Sequence, residues 1–230
     1  MAIRRNKKAN DETLVDIVEV KESASDWIDR NQKTIFGALF GLVLIVGGFL
    51  AYKQFVKAPK EKEAMNVMQQ AQLQFERDSF AIALSNPGNG GLGFLDIVDQ
   101  FGGTAAGNLA NYYAGISYLR LGKYDAAIDH LKSFSADGAV LPATKLGAIG
   151  DAYAEKNDLD SALSYYSKAA AAVGNEFTSS MYLKKVGLLN EKNQNWSGAM
   201  AAYKQIKTKY PLTIDGNDID KYISRVEAKL

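Results

Sequence analysis

The stretch that decides the fold is GISYLRLGKYDAA at residues 115–127, and its pattern returns as GDAYAEKNDLDSA at 150–162 and GLLNEKNQNWSGA at 187–199. Each copy starts with glycine, has a large side chain nine positions later and ends with alanine twelve positions later. The copies begin 35 and then 37 residues apart. Small residues at fixed positions let two helices approach closely, so the pattern predicts three stacked pairs of α-helices.

This repeated unit resembles the tetratricopeptide repeat, a helix–turn–helix unit of about 34 residues. Units of this kind cannot bury an apolar face alone, and they therefore stack into a curved solenoid with a concave surface. The resemblance implies a scaffold that binds other proteins, and it does not imply an enzyme.

A membrane anchor is expected before the repeats. Residues 34–52 carry no charged side chain and lie between Lys33 and Lys53. As a helix they would be about 28 Å long, close to the thickness of the hydrocarbon core of a bilayer. A buried core helix would show a polar stripe, which is missing here. A cleaved signal peptide would have a shorter start and a better cleavage site than Phe49–Lys53. We therefore expect an uncleaved anchor.

Three glycines, Gly37, Gly41 and Gly48, form one narrow stripe on this anchor. Such stripes allow transmembrane helices to pack closely, and we predict helix packing in the membrane at this stripe. Glycine is also common in membrane spans that make no such contact, so both interpretations remain open.

The fold class predicted from these features is all-α, with a single N-terminal transmembrane helix, a tetratricopeptide-repeat α-solenoid and a C-terminal capping helix. The predicted segments are an N-terminal cytoplasmic tail at 1–33 with a basic start at 4–8, the anchor at 34–56, a juxtamembrane helix and degenerate first repeat at 57–104, three repeats at 105–213 and the capping helix at 214–230. Within the third segment we expect Pro59 to interrupt the helix, a long helix to run from Glu61 to about Leu84, and a short one to follow from Leu92 to Phe101.

Composition excludes several classes of function. The chain has no cysteine and one histidine, which leaves no thiol nucleophile, no cysteine–zinc site and only one imidazole base. The net charge is +1, with cations and anions interspersed, so nucleic acid is not an expected partner. We expect no cofactor, no metal, no small-molecule substrate and no enzymatic activity.

Three motifs suggest chemistry and have simpler explanations. Gly88, Gly90 and Gly93 fit a dinucleotide-binding string, but no strand precedes them, so a loop between helices is the better interpretation. Asp215 begins an acidic cluster whose order does not fit a calcium loop, while the start of a helix explains it. His130 is expected on the outer side of a helix, as a surface residue.

A partner groove is predicted on the concave face, where repeats of this family usually bind peptides through the first helix of each pair. Carried over by their offsets, the residues expected to line it are Leu109, Tyr112, Ile116, Leu119 and Arg120 in the first repeat, Thr144, Gly147, Asp151 and Glu155 in the second, and Met181, Lys184, Leu188 and Glu191 in the third. One end of this groove is apolar and aromatic. Two possibilities stay open: the groove accepts a partner, or the juxtamembrane helix fills it.

The order of tail, anchor, juxtamembrane helix and repeats, with the phrase NLANYYAG at 108–115, resembles the YfgM-like ancillary subunits of the bacterial SecYEG translocon in their Bacteroidetes form. The resemblance implies an inner-membrane protein with one span, a cytoplasmic N-terminus and a periplasmic repeat domain. It implies the SecYEG translocon, periplasmic chaperones or nascent secreted proteins as partners. The alternatives are an adaptor in another envelope process, such as cytochrome maturation or cell division, and an enzyme subunit or regulator.

Overall fold

The computed structural model describes residues 8–172 and 175–230, and no β-strand occurs among them. The helices are α1 (Lys8–Tyr52), α2 (Ala58–Glu76), α3 (Phe80–Ser85), α4 (Phe94–Phe101), α5 (Ala105–Arg120), α6 (Tyr124–Ser133), α7 (Leu141–Glu155), α8 (Leu159–Ala171), α9 (Glu176–Lys192), α10 (Trp196–Lys209) and α11 (Ile214–Glu227). The chain divides into two compact units, Met1–Ala58 and Pro59–Leu230. The predicted all-α class is confirmed.

The first unit is helical from Lys8 onward, and most of the basic start predicted at 4–8 lies outside the described residues. One helical stretch in the described chain, within Arg30–Glu76, is long and apolar enough to cross a membrane. Large apolar side chains along it, such as Phe40 and Ile45, are exposed. This exposure fits a span surrounded by lipid and does not fit a buried core helix.

The helix does not break at Pro59, contrary to the sequence-based expectation. A π-helical turn occupies Lys53–Lys57, and α2 begins at Ala58. Proline lacks the N–H group that a regular helix would use at this position, and single π-helical turns commonly accommodate such local changes in the backbone ladder.

Three helix pairs form the body of the second unit, namely α5 with α6, α7 with α8, and α9 with α10. The first helix of each pair ends in the same way, with a left-handed residue at Gly122, Asn157 or Gln194. The residue after each one donates a 2.9 Å hydrogen bond to the carbonyl five positions earlier, as in Lys123 to Tyr118. This helix-ending motif reverses the chain tightly, and it recurs once per repeat.

The juxtamembrane helix ends with the same motif, at Asp78, whose φ of 56° is left-handed. The single helix predicted from Glu61 to about Leu84 is therefore divided after Glu76. Phe80 and Ala83 follow Asp78 at the offsets that Tyr124 and Ala127 have from Gly122, and Ala83 is fully buried. Helices α2 and α3 thus begin a fourth repeat unit, which a loop interrupts before it resumes as α4.

The apolar core continues through all the helix pairs of this unit. One cluster joins α2, α3, α4 and α5, a second joins α5, α6 and α7, and a third runs from α7 to α11. Helix α11 buries Ile219, Ile223 and Val226 in the third cluster, where the first helix of a further repeat would lie. It covers the open end of the solenoid.

Candidate partner-binding groove

An open cavity of about 610 Å³ lies along the first helices of the three complete repeats, α5, α7 and α9. Apolar side chains from α5 and α7 supply part of its lining, and charged or aromatic side chains supply the rest. The lining residues are Ile116, Leu119, Arg120, Tyr124, Ala148, Asp151, Ala154, Glu155, Tyr166 and Lys185. Mixed cavities of this kind, with an apolar surface and a few polar groups, are typical binding sites.

Close packing beneath the cavity depends on two glycines of α7. A Cβ atom added at Gly150 would lie 2.6 Å from Cδ1 of Tyr166, and one added at Gly147 would overlap the ring of Tyr182. Both rings therefore reach the backbone of α7, and they stack with their centroids 6.4 Å apart. The glycines set the depth to which these rings pack below the groove.

A polar network fixes one wall of the cavity. The Asp151 carboxylate accepts hydrogen bonds from the Tyr166 hydroxyl at 2.7 Å and from the Lys185 ammonium at 2.5 Å. Lys185 also lies 5.3 Å from the centroid of the Tyr166 ring. Burial, followed by the interaction with Asp151, raises the pKa of Tyr166 above its ordinary value. Burial and the charge of Asp151 likewise raise the pKa of Tyr182, so both hydroxyls stay protonated at neutral pH.

Two charges at the cavity are exposed and available to a ligand. Arg120 ends α5 and Glu155 ends α7, and both side chains are exposed. The ion pairs found among the described residues include neither of them. The groove thus presents a cation and an anion beside an apolar surface. The described residues contain no group of three metal-binding side chains.

The predicted groove residues of the first repeat are divided between two places. Ile116, Leu119 and Arg120 line the cavity. Tyr112 packs its ring against Phe134 with the centroids 5.2 Å apart, and Leu109 packs against the cluster that contains α2. Three of these five residues are therefore brought together at one opening.

The predicted groove residues of the third repeat lie away from this cavity. Lys184 forms a 2.7 Å ion pair with Asp215 of α11 and lies 5.0 Å from the centroid of the Tyr222 ring. Met181 packs against the third core cluster, and Leu188 is exposed. Helix α11 thus occupies the surface next to Lys184. The use of any of these residues by a partner stays a prediction.

The juxtamembrane helix does not line the cavity. Its Ala64, Met68 and Ala71 are buried in the cluster that also holds Leu109 and Tyr113. The cavity lies further along α5, at Ile116 and Leu119, and its lining includes no residue of α2. Helix α2 thus packs near Leu109 at one end of the predicted groove and leaves the cavity at Ile116 and Leu119 open.

Two charge pairs of the groove side were not predicted. Asp151 pairs with Lys185, and Glu191 accepts hydrogen bonds from Arg225 at 2.6 and 2.9 Å. In each pair the residues are 34 positions apart, which is one repeat length. Opposite charges one repeat length apart can be recognised in the sequence, and they could have predicted these ion pairs.

The other predicted motifs have structural roles. Gly88 and Gly90 are left-handed residues of the loop between α3 and α4. His130 is half-buried and not the surface residue that was expected: its Nδ1 lies 3.0 Å from Oδ1 of Asn111, and the imidazole stacks on Tyr118. Asp215 follows Thr213, whose hydroxyl caps α11. The surroundings of the glycine stripe are open, with no side chain within 4 Å of a Cβ placed at Gly37, Gly41 or Gly48.

Stacked helix pairs with an open groove along their first helices define an α-helical repeat scaffold of the kind that binds proteins. The family model of the tetratricopeptide repeat matches residues 109–137 and 185–213. The first match covers most of α5, all of α6 and their connection, and the second covers the C-terminal part of α9, all of α10 and the turn that precedes α11. A comparison with curated proteins finds no match to the chain. The repeats suggest a scaffold for protein–protein interaction.

Proposed function

We propose that the protein is a membrane-anchored scaffold that holds extended segments of partner proteins in the groove of its repeats. The observation that carries this proposal is the open cavity between α5 and α7, with unpaired Arg120 and Glu155 on either side of an apolar surface. A partner segment would place an apolar side chain against Leu119 and an acidic and a basic side chain near the two charges. Such charges contribute mainly to specificity and to the rate of association.

The proposed setting is the bacterial inner membrane, with the N-terminus in the cytoplasm and the repeats in the periplasm. The proposed role is that of an accessory subunit of the Sec translocon that links it to periplasmic chaperones or to emerging secreted proteins. Two features support this setting: a helix able to span a membrane precedes the repeats, and the whole chain resembles the YfgM-like subunits. A scaffold beside a translocation channel needs an open groove and no catalytic group.

Site-specific photo-crosslinking in native membranes tests the proposal. A photoreactive amino acid replaces Arg120 in the groove, and the matched control replaces Lys204, which is exposed on the second helix of the third repeat. We expect translocon subunits, periplasmic chaperones or secreted polypeptides among the adducts of position 120 and not among those of position 204. Equal adducts at both positions would contradict the groove.

The setting is tested separately by protease treatment of spheroplasts. The proposed orientation exposes the chain beyond Lys57 to added protease. Complete protection in intact spheroplasts would contradict a periplasmic repeat domain. Adducts that belong only to another envelope complex would favour the alternative adaptor role and leave the groove itself supported.

A further inference from the structure

One edge of the second unit carries the starts of all its first helices, and we name it the proximal edge. It consists of the first turns of α2, α5, α7, α9 and α11 with the ends of α4, α6, α8 and α10. At one corner, the Glu61 carboxylate on α2 accepts hydrogen bonds from the N–H groups of Ala105 and Ala106 at 2.7 and 2.9 Å. The chain therefore enters this unit directly beside the start of α5.

Further contacts continue the proximal edge along the solenoid. Asn108 in the first turn of α5 exchanges hydrogen bonds of 2.8 and 2.7 Å with the backbone of Ser135, which lies between α6 and α7. The Lys145 ammonium in the first turns of α7 donates to the Phe134 carbonyl at 2.5 Å. A cavity of about 450 Å³ is shared by the end of α8, the start of α9 and the end of α10.

The proximal edge exposes large apolar side chains in the first turns of several successive first helices. Leu141 and Phe177 lie in the first turns of α7 and α9, and Ile214 is the first residue of α11. Phe177 is 51% exposed and Ile214 is 72% exposed, while the neighbouring Leu212 is 91% exposed. Single exposed apolar residues are ordinary, but a row of them on one edge indicates a surface that something apolar covers.

The covalent connection of this unit indicates what covers the edge. Only residues 53–58 separate the apolar stretch of α1 from Pro59. Six residues span at most about 20 Å even when fully extended. The corner of the proximal edge at α2 is therefore held near the surface of any bilayer that contains the anchor. The opposite edge, with the helix ends at Gly122, Asn157 and Gln194, is about 24 Å away, the length of α5.

We propose that the proximal edge rests on the lipid surface, with Phe177, Leu212 and Ile214 inserted into the headgroup region of the membrane. This inference relies on the proposed membrane anchoring and adds a second point of attachment at the far end of the solenoid. Amphipathic surfaces bind bilayers in this way through buried apolar area. The cations of this edge include Lys132, Lys145, Lys207 and Lys209, of which Lys207 pairs with Asp220, and its anions include Asp137 and Glu176. Charges of both signs are thus interspersed, and the attachment is mainly apolar and only weakly sensitive to salt.

The arrangement sets the position of the groove relative to the membrane. Leu119 lies fourteen residues beyond the start of α5, which corresponds to about 21 Å along a helix. With the proximal edge on the lipid, the cavity opens sideways at roughly that height. A polypeptide that emerges from a membrane channel would meet the groove within its first few extended residues.

The absence of cysteine from the chain allows a direct test. The full chain is reconstituted in nanodiscs, and a fluorophore is attached to Phe177→Cys or Leu212→Cys. The matched control is Leu121→Cys on the opposite edge, a residue that is also partly exposed. Headgroup-level spin-labelled lipid should quench the labels at 177 and 212 by at least about twofold more than the label at 121, in low and high salt.

A second variant keeps the test independent of the labelled positions. Leu212→Ser with Ile214→Ser should reduce the quenching of a label at 177 and leave the helical circular dichroism unchanged, because both side chains are exposed. Equal quenching at 177, 212 and 121 would overturn the proposal. It would also be overturned if the labels at 177 and 212 became buried only when a protein partner was added. Failure of the chain to enter nanodiscs would instead contradict the anchor.

Discussion

The ring of Tyr166 lies directly over Gly150, so close that a Cβ at position 150 would be 2.6 Å from the ring atom Cδ1. The ring cannot easily move aside, because its hydroxyl donates to Asp151 at 2.7 Å and Lys185 lies over its face. The absence of a side chain at Gly150 thus allows α7 and α8 to pack closely, and it fixes the position of Tyr166 in the lining of the groove. The same relationship recurs between Gly115 and Leu131.

Gly150→Ala should therefore destabilise the protein, although alanine is intrinsically the better helix former by about 1 kcal/mol. Overpacking of a close contact typically costs about 1–3 kcal/mol, so after the gain in helix propensity we expect a net loss of up to about 2 kcal/mol in the free energy of unfolding. Urea unfolding of the full chain in detergent, followed by circular dichroism, measures the change.

The matched control for this substitution is Gly103→Ala. Nothing lies within 4 Å of a Cβ at that position. The control should change the free energy of unfolding by less than about 0.5 kcal/mol. A stabilised Gly150→Ala protein would show that the ring of Tyr166 relaxes freely and that the contact is looser than described.

The glycine, the large side chain and the alanine of each complete repeat could be predicted from sequence because packing fixes their spacing. The interrupted unit was predicted as a degenerate first repeat, but the helix end at Glu76 was not predicted, for a geometric reason. Asp78 and Gly122 are 44 residues apart, against 35 for Gly122 and Asn157, so the unit is nine residues longer. Phe80 and Ala83 have the usual spacing for the start of a second helix. A search for repeats of constant length does not find them, because the extra loop changes the distance to the next repeat. A search for left-handed helix ends would have found this helix end.

The alanines at the helix contacts give a direct test of the repeat register. Ala127 and Ala162 are fully buried, each at the start of the second helix of a pair. Ala127→Asp or Ala162→Asp would bury an unpaired charge, and we expect each to lower the free energy of unfolding by at least about 3 kcal/mol.

Ala201→Asp provides the control for these two substitutions, because Ala201 is exposed on α10. It should leave the denaturant midpoint nearly unchanged. If all three variants unfold alike in urea, the alanines do not mark helix contacts and the register assigned to the repeats is wrong.

Glu61 tests whether α2 is part of the solenoid. Its carboxylate satisfies two free N–H groups at the start of α5. An anionic acceptor at a helix start is favoured by the helix dipole, and loss of such a cap costs about 0.5–2 kcal/mol. We expect Glu61→Ala to lower the free energy of unfolding by that amount, while Glu63→Ala, at an exposed position, should have little effect. Equal effects of the two substitutions would mean that α2 does not dock through Glu61.

The groove could be predicted from sequence only in part. Offsets within a repeat predicted Ile116, Leu119 and Arg120, which line the cavity, and also Lys184, which does not. Such offsets carry no information about the helix that packs next to the repeat. Lys184 is an example, because it forms an ion pair with Asp215 of the capping helix α11. Whether a concave side chain is free depends on the next repeat, which one unit's pattern does not contain.

His130 should make stability depend on pH in a defined window. Burial lowers the pKa of His130 below its ordinary value of 6.5, and the charge of Asp129 opposes this only partly. The unfolded state then binds the proton more readily, so this contribution to stability is present above pH 6.5 and is lost as pH falls through the folded-state pKa.

We therefore expect the free energy of unfolding to fall between about pH 7.5 and about pH 5.5 in the natural protein and to fall less in His130→Gln. Carboxylates contribute below this window. Glu191 is one example, because its pKa lies below the ordinary value of 4.5 in the folded protein. Burial alone would raise this pKa, but hydrogen bonds from Arg225 and Tyr203 lower it by more. Urea unfolding at the two pH values measures the difference. Equal slopes for the two proteins would show that His130 has no altered pKa.

The two predicted contact surfaces can be separated with two double variants. Arg120→Glu with Glu155→Lys exchanges the exposed charges of the groove and keeps the net charge. Gly37→Leu with Gly41→Leu closes the glycine stripe of the anchor. The control, Asp129→Lys with Lys204→Glu, makes the same exchange on exposed positions of second helices.

The groove variant should weaken capture of chaperones or secreted polypeptides by at least about tenfold, because each reversed charge would face a like charge on the bound segment, and about 1.4 kcal/mol of repulsion suffices for a tenfold loss. Its melting temperature should stay the same, since reversing one charge at each of two helix ends has opposing effects. The anchor variant should lose co-purification with the translocon and keep capture by the groove, because leucines at the stripe prevent close helix contact. Quantitative co-purification and thermal unfolding measure both. If neither double variant differs from the control, neither the groove charges nor the glycine stripe contacts a partner.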